Sequence, residues 1–158
     1  MFDNNLERDW FLLSIEDPEF LSGMSVLKTI MLTKQMINFE FVVLNDIEGS
    51  GRDWIIFNLR KKMNHVLKLE KFLKSLPHVI QFDWGDFFLF KDYPNHWNNS
   101  TDLGYPSLIA QTDTTIRAID DTYIYIYTPH EKIVEILKEN YKIEKELKGL
   151  LKDLEHPS

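Results

Sequence analysis

The apolar run FFLF at residues 87–90 constrains the fold more than any other stretch of the sequence. Successive side chains of a strand point to opposite faces of its sheet, so a strand without polar positions needs cover on both faces. The preceding residues, HVIQFDWGD, predict a strand that joins this run through a hairpin turning at Trp84-Gly85. We therefore expect 87–90 to be a central strand that is packed on both sides.

Further strands are predicted before and after this hairpin. The segment INFEFVVL at 37–44 is rich in β-branched and aromatic residues, which favour strands. SLIAQT at 107–112 is interpreted as another strand, and a second hairpin is expected to turn at Asp120-Asp121. The last strand of that hairpin alternates isoleucine with tyrosine, which places three tyrosines on one face: Tyr123, Tyr125 and Tyr127.

Apolar positions at helical spacing predict three helices, at about 18–36, 54–75 and 129–154. The first is expected to be capped by Asp17 and weakened by Gly23, since glycine is a poor helix former. The second follows Asp53, which is interpreted as its cap. The third begins in a predicted capping box formed by Thr128 and Glu131.

Together these elements predict an α+β fold in a single domain covering 1–158. Its core is expected to be an antiparallel sheet of four to six strands, mainly from 78–128, packed by the three helices. A chain of 158 residues with 44% hydrophobic content can bury such a core.

Four leucines near the end of the third helix need a surface to pack on: Leu147, Leu150, Leu151 and Leu154. The apolar run at 10–13 of the same chain is one candidate, and a second copy of the chain is the other. The first is favoured because Trp10 and Phe11 otherwise have no predicted packing partner. A monomer is therefore slightly favoured over a homodimer.

Composition excludes several classes of protein. The sequence contains no cysteine, which rules out disulfides and thiolate zinc sites, and no apolar run approaches the roughly 20 residues that span a bilayer. The N-terminal residues are acidic where a signal peptide is basic, so a cytoplasmic location is expected. We expect no membrane association, no cofactor and no metal site.

The net charge of −7 is unevenly distributed, because residues 52–76 are strongly basic and the other long segments are acidic. Overall acidity argues against nucleic-acid binding, since a phosphate backbone is bound by a basic face. A regulator that uses the basic helix 54–75 remains an alternative function.

No catalytic motif is present. Gly49-Ser50-Gly51 lacks the Lys-Ser/Thr ending of a phosphate-binding loop, and the histidines show no metal-ligand spacing. An alternative function is nevertheless a small hydrolase or small-ligand protein whose pocket lies near Asp83, Asp86 and His96.

The region 92–106 is long for a loop without periodicity, and such loops are usually functional or disordered. It is rich in aromatic and acidic residues, which suit a surface that binds a basic protein. Alternatively, Tyr93 and Trp97 fold back over the apolar strand. The predicted partner-binding residues are Asp86, Asp92, Tyr93, His96, Trp97, Asp102, Tyr105, Asp120 and Asp121.

In its small size, acidity and lack of cysteine, the chain resembles the small bacterial proteins that neutralise toxins, such as immunity proteins. The resemblance lies in composition and involves no residue pattern. It implies a non-enzymatic inhibitor whose partner is a basic protein, such as a toxin.

Overall fold

The computed structural model describes residues 5–17, 20–99 and 104–158. The strands are β1 (Asp9–Glu16), β2 (Phe41–Gly51), β3 (Val66–Lys68), β4 (Val79–Phe90), β5 (Thr114–Ile119), β6 (Tyr123–Thr128) and β7 (Lys145–Leu150). They form one seven-stranded antiparallel sheet in the order β3-β2-β4-β5-β6-β1-β7. The fold is α+β as predicted, but the sheet is larger than four to six strands, and much of it comes from outside 78–128.

The helices that lie wholly within the described residues are α1 (Gly23–Met36), α2 (Ile55–Lys61), α3 (Leu69–Ser75), α4 (Gly104–Ala110) and α5 (Glu131–Asn140). Single turns of 3-10 helix cover Leu76–His78 and Leu151–Asp153. Across the described ranges, no helix has both the length and the apolar character that crossing a bilayer requires.

Apolar layers cover both faces of the sheet, as the run at 87–90 requires. Phe87 and Leu89 point into a core shared with α1, α2, α3 and α5. Phe88 and Phe90 point into a second core, formed with α4 and with C-terminal residues such as Leu151. All five side chains are buried. The prediction of a central strand covered on both sides is confirmed.

The predicted turn at Trp84-Gly85 is wrong, because both residues lie inside the single strand β4. Trp84 pairs with Glu48 of β2, and Gly85 pairs with Ala118 of β5. A glycine within a strand can mark irregular pairing or a close approach as well as a turn. Here the register between β2 and β4 shifts on both sides of Glu48. The second predicted hairpin is confirmed, since β5 and β6 meet at Asp120-Asp121.

Residues 107–112 are not a strand, because most of them belong to helix α4. Leu108, Ile109 and Ala110 are buried against the second core, and the Thr112 hydroxyl donates a hydrogen bond to Ile109 O at 2.8 Å. A short apolar run fits a buried strand and a buried helix equally well, so periodicity does not separate them.

The predicted helix 54–75 is divided into α2 and α3 by strand β3. Asn64 adopts a left-handed conformation with φ 66°, and its N–H donates to Leu44 O at 2.8 Å. The chain therefore turns back, and Val66 pairs with Val43. The apolar stripe is shared by two short helices and an edge strand, which together present the same spacing as one long helix.

The predicted helix 129–154 also ends early, since α5 stops at Asn140 and strand β7 follows. β7 pairs with β1, so that Leu147 lies opposite Leu12 and Gly149 opposite Trp10. Leu147, Leu151 and Leu154 thus pack with the N-terminal run, as expected, although through strand pairing and a 3-10 turn.

The predicted caps are also revised. α1 begins at Gly23, and the Ser22 side chain accepts the Ser25 N–H at 3.1 Å in place of Asp17. Pro18 and Glu19 lie outside the described residues. α5 begins after His130, whose N–H donates to the Thr128 hydroxyl oxygen at 3.2 Å. The structure therefore shows no capping box from Thr128 to Glu131.

Gly23 has a packing role that its poor helix propensity conceals. A Cβ at this position would lie 1.9 Å from Leu76 O, whereas a Cβ at Gly149 would meet nothing within 4 Å. We expect Gly23→Ala to lower the free energy of unfolding by about 1–3 kcal/mol, the usual cost of overpacking. Gly149→Ala is the matched control and should stay within about 0.5 kcal/mol of wild type in urea unfolding. Equal effects of the two substitutions would contradict the packing.

Candidate functional site

The predicted partner-binding residues are distributed over both ends of the sheet. The loop 91–99 follows the last residue of β4 and marks one end, which we call the loop end. Asp120 and Asp121 join β5 to β6 at the opposite end, which we call the turn end. Because β5 has six residues, the two ends lie about 17 Å apart. These residues therefore do not form one continuous surface.

At the loop end, Trp97 folds back over the sheet, as the alternative interpretation held. Its ring lies 5.0 Å from that of Phe88 and 5.8 Å from that of Phe90, measured between centroids. Tyr93 packs edge-on against Phe41 but keeps 55% of its surface exposed. Asp92 and His96 are exposed, whereas Asp102 lies outside the described residues.

Asp86 cannot belong to a binding surface, because its side chain is fully buried. It lies opposite Arg117 of the neighbouring strand β5, and the Arg117 Nε donates to Asp86 Oδ1 at 2.8 Å. Arg117 is also fully buried. Tyr105, half-buried on α4, donates its hydroxyl to Asp86 Oδ2 at 3.1 Å, and its ring centroid lies 3.7 Å from Arg117 Cζ.

Burial and charge act against each other in this cluster. Burial raises the pKa of Asp86, although Arg117 favours its ionised form. Burial also disfavours the charged guanidinium, but the Asp86 carboxylate outweighs this effect and raises the pKa of Arg117. Burial and the nearby Asp86 raise the pKa of Tyr105. Pairing with Arg117 therefore favours the ionised carboxylate, and burial opposes it.

The C-terminal segment 154–158 covers this cluster. The Tyr127 hydroxyl donates to Glu155 O, and the Tyr125 hydroxyl donates to the Glu155 carboxylate. The His156 ring is parallel to the Tyr127 ring with centroids 5.3 Å apart, and also parallel to the Tyr105 ring at 6.4 Å. Tyr125 and Tyr127 of β6 therefore lie beneath this segment.

Two partly buried histidines predict a pH dependence of stability. Burial lowers the pKa of His156 and that of His130, so the unfolded chain takes up protons at a higher pH than the folded protein does. The free energy of unfolding should therefore decline as the pH falls below about 6.5. His156→Phe retains a stacking ring and should flatten the decline between pH 7.5 and 5.5 in urea unfolding. The same slope in both proteins would contradict the assignment to His156.

The hydrolase candidates do not converge. Asp86 is buried against Arg117, and Asp83 accepts a hydrogen bond from the Gln81 side chain at 2.7 Å. His96 lies in the loop beyond the far end of β4. Among the described residues, no group of three or more histidine or acidic side chains is placed to hold a metal ion.

At the turn end, an aromatic surface lies where the sequence predicted only the start of a helix. Trp54 precedes α2 and is 81% exposed, and Phe57 is 54% exposed. With Asp53 and Asn58 they line an open hollow of about 450 Å³. We call these four residues the Trp54 surface. Asp53 does not cap α2, since its carboxylate contacts His78 Nδ1 at 3.1 Å.

The backbone holds Trp54 in an unfavourable conformation. Asp53 has φ 56° and Trp54 has φ 59°, so two consecutive residues other than glycine are left-handed. Each such residue costs roughly 1–2 kcal/mol relative to a right-handed one. The fold retains this conformation and exposes an indole to solvent, a combination that stability alone does not explain.

Other exposed apolar side chains lie at the same end of the molecule. Leu21, just before α1, lies between the turn that joins β5 to β6 and strand β4. Its N–H donates to Asp121 O, and its carbonyl oxygen accepts the Phe82 N–H. The turn end therefore also carries three further exposed apolar residues: Phe20, Met24 and Ile80. Asp120 and Asp121 are exposed there as well, whereas the exposed Asp53 lies beside His78, roughly 17 Å along β4 from Asp83, whose O accepts the Asp121 N–H.

The basic residues of 54–75 are exposed but do not line one helix face. Several make contacts within the chain: Arg60 Nη1 donates to Ile47 O at 2.8 Å, and Lys61 Nζ lies 4.6 Å from the Phe57 ring centroid. Lys74 forms an exposed ion pair with Glu70. The continuous basic helix on which the regulator hypothesis depended is therefore absent from this segment.

The sequence interpretation missed Arg117 and the exposure of Trp54. Arg117 was detectable, since it is the lone charged residue in the apolar strand TTIRAI, and a charge at such a position is buried only with a partner. Trp54 gave no comparable signal, because its exposure depends on the two left-handed residues.

Comparison of the chain with protein-family models, curated proteins and solved structures gives no significant match. The proposed function therefore rests on the geometry of the molecule itself.

Proposed function

We propose that this is a non-enzymatic protein that binds another protein through the Trp54 surface. The observation that carries the proposal is the exposed indole of Trp54, held by two consecutive left-handed residues. Tryptophan is enriched among the few interface residues that dominate binding energy. Such residues act best when their position is fixed before binding, because less conformational entropy is then lost.

The form of the surface favours a protein over a small molecule. Small ligands are usually bound in clefts where several polar groups converge. The hollow beside Trp54 is shallow, and its lining pairs two aromatic side chains with Asp53 and Asn58. An apolar side chain of a partner can fill it, while surrounding polar residues form the rim.

The overall charge supports a basic partner. The net charge is −7 and Asp53 is exposed in the Trp54 surface, while the neighbouring charge is mixed, since Lys61 Nζ lies 4.6 Å from the Phe57 ring centroid. A field of this sign speeds the approach of a basic protein and makes the association rate sensitive to salt. Inhibition of a basic toxin, the function implied by the resemblance in composition, is consistent with this surface and is retained as a specific form of the proposal.

The loop end offers a second candidate surface for the same class of function. Tyr93 is exposed there beside Asp92 and His96, which the sequence analysis assigned to partner binding. The two surfaces lie at opposite ends of the sheet, so a single experiment can distinguish them.

The test is capture of proteins from cells of the native source by wild type, Trp54→Gly and Tyr93→Ala, followed by hydrogen exchange on the purified complex. We expect wild type and Tyr93→Ala to retain one basic protein that Trp54→Gly loses, with protection from exchange at 53–58. If the partner is a toxin, co-expression should restore growth to cells that produce it. Retention by Trp54→Gly with protection at 91–99 would contradict the proposal and place docking at the loop end.

A further inference from the structure

Arg117 has unused hydrogen-bonding capacity in the interior of the protein. Its Nε donates to Asp86, but Nη1 and Nη2 are buried without a hydrogen bond of good geometry among the described residues. The nearest polar neighbour is the Tyr127 hydroxyl, which Arg117 approaches closely enough to oppose the rise in the Tyr127 pKa that burial causes. A guanidinium has five N–H donors in a fixed planar arrangement, so four of them remain on these two nitrogens. The outer edge of the group is the part suited to paired contacts with an oxyanion.

Unpaired donors of this kind are uncommon in folded proteins. Most buried polar side-chain atoms have a partner, and leaving one without a partner is costly. Asp86 already balances the formal charge of Arg117, so the need is for acceptor atoms in a particular place. A carboxylate supplies two acceptors at the spacing of Nη1 and Nη2.

Flat rings stand next to the guanidinium. Arg117 lies over the ring of Tyr105, and the rings of Tyr105, His156 and Tyr127 are parallel to within about 5°. His156 thus occupies a place where a planar ring stacks on Tyr127. The Arg117 charge contributes to the lowered pKa of His156, after burial, which is consistent with their proximity.

His156 also has an incomplete set of partners. One ring nitrogen, Nε2, bonds to Leu151 O, and the other, Nδ1, is buried without a partner among the described residues. The cover that carries His156 is held partly by an ion pair between Glu155 and Lys145, in which both side chains keep at least 40% of their surface exposed. An exposed pair of this kind contributes little to stability, so the cover is weakly fastened on that side.

We propose that Arg117 is the anchor of a binding site for a small planar molecule that carries a carboxylate, and that segment 155–158 is its displaceable cover. The carboxylate bonds to Nη1 and Nη2, and the ring of the ligand replaces His156 against Tyr127. This site is separate from the Trp54 surface, so neither proposal depends on the other.

The experiment compares benzoate with benzamide, which has the same ring without the charge. Probes are added to wild type and to a variant lacking residues 155–158, and binding is measured by calorimetry and by NMR shifts of the Tyr127 and Arg117 side chains. Benzoate is expected to bind both proteins, with at least about tenfold higher affinity for the shortened one, while benzamide binds neither. Acetate and inorganic phosphate are added in parallel. Acetate tests a carboxylate without a ring, and inorganic phosphate tests an anion without a carboxylate.

Variants complete the test. Lys145→Glu repels Glu155 and should raise the affinity for benzoate several-fold without touching Arg117. Arg117→Lys should abolish binding, and if it does not fold, the comparison of benzoate with benzamide on the shortened chain still decides the proposal. No shift with benzoate in either protein, or equal shifts with benzamide, would overturn it. A response to acetate equal to that to benzoate would show an adventitious anion site without the ring specificity proposed.

Discussion

Replacing Asp86 with alanine is expected to lower the free energy of unfolding by about 3–5 kcal/mol, the usual cost of removing one partner of a buried ion pair. The variant leaves Arg117 charged, since arginine does not lose its proton at any pH the protein survives. Arg117, which is itself fully buried, then lies against the Tyr105 ring with no carboxylate beside it. Urea unfolding of the purified variant measures the loss.

The effect should be asymmetric between the partners. Arg117→Met leaves Asp86 buried, but burial already raises the pKa of this carboxyl group, so it takes up a proton and becomes neutral. We therefore expect Arg117→Met to cost less than Asp86→Ala. The double variant Asp86→Leu with Arg117→Met should recover most of the loss, because an apolar replacement of a buried pair is often nearly neutral. Equal losses in all three proteins would contradict the account of this pair.

The outline of the fold could be predicted from the sequence where one physical requirement dominated. Residues 87–90 had to be covered on both faces, and they are. The turn at Asp120-Asp121 followed from two aspartates between alternating segments, since aspartate tolerates the left-handed conformation that both adopt. In these places local sequence and tertiary packing favour the same structure.

Prediction failed where a short strand followed a helix on one apolar stripe. In 54–75 and 129–154 the spacing of the leucines fits a single helix, but the helices end at Lys61 and Asn140, and β3 and β7 complete the two edges of the sheet. Strand pairing is a long-range interaction, so it leaves no periodic signal in the segment itself. For the same reason, the sequence did not show that Trp84 and Gly85 lie inside strand β4.

The surroundings of the candidate site residues were predicted less well than the fold. The aromatic and acidic composition of the sequence drew attention to Asp86 and Tyr105. In the structure both contact the buried side chain of Arg117. The distribution of charged and aromatic residues along the chain does not show which of them share an end of the sheet. That depends on strand direction and pairing, which place Tyr93 after the end of β4 and Asp120 after the end of the antiparallel strand β5, and Trp54 after the end of β2.

Replacing Trp54 with glycine is expected to weaken partner binding by at least about 30-fold, which corresponds to about 2 kcal/mol, the threshold for a dominant interface residue. The same substitution should leave the free energy of unfolding unchanged or raise it by up to about 1 kcal/mol. Glycine adopts a positive φ without strain, and the indole buries little surface in the free protein. Loss of binding without loss of stability is the signature of a docking residue.

Tyr93→Ala is the matched control, because Tyr93 is also an exposed aromatic residue but lies at the loop end. It should bind the partner within about threefold of wild type. Phe57→Ala removes the second ring of the Trp54 surface and should have an intermediate effect. Circular dichroism and urea unfolding establish that each variant is folded before its binding is measured.

The most direct test of the proposed docking surface is the dissociation constant of the captured partner, measured by calorimetry at low salt for wild type, Trp54→Gly and Tyr93→Ala. The proposal predicts at least about a 30-fold increase for Trp54→Gly and a change below about threefold for Tyr93→Ala. A dissociation constant unaffected by Trp54→Gly, or raised only by Tyr93→Ala, would contradict it.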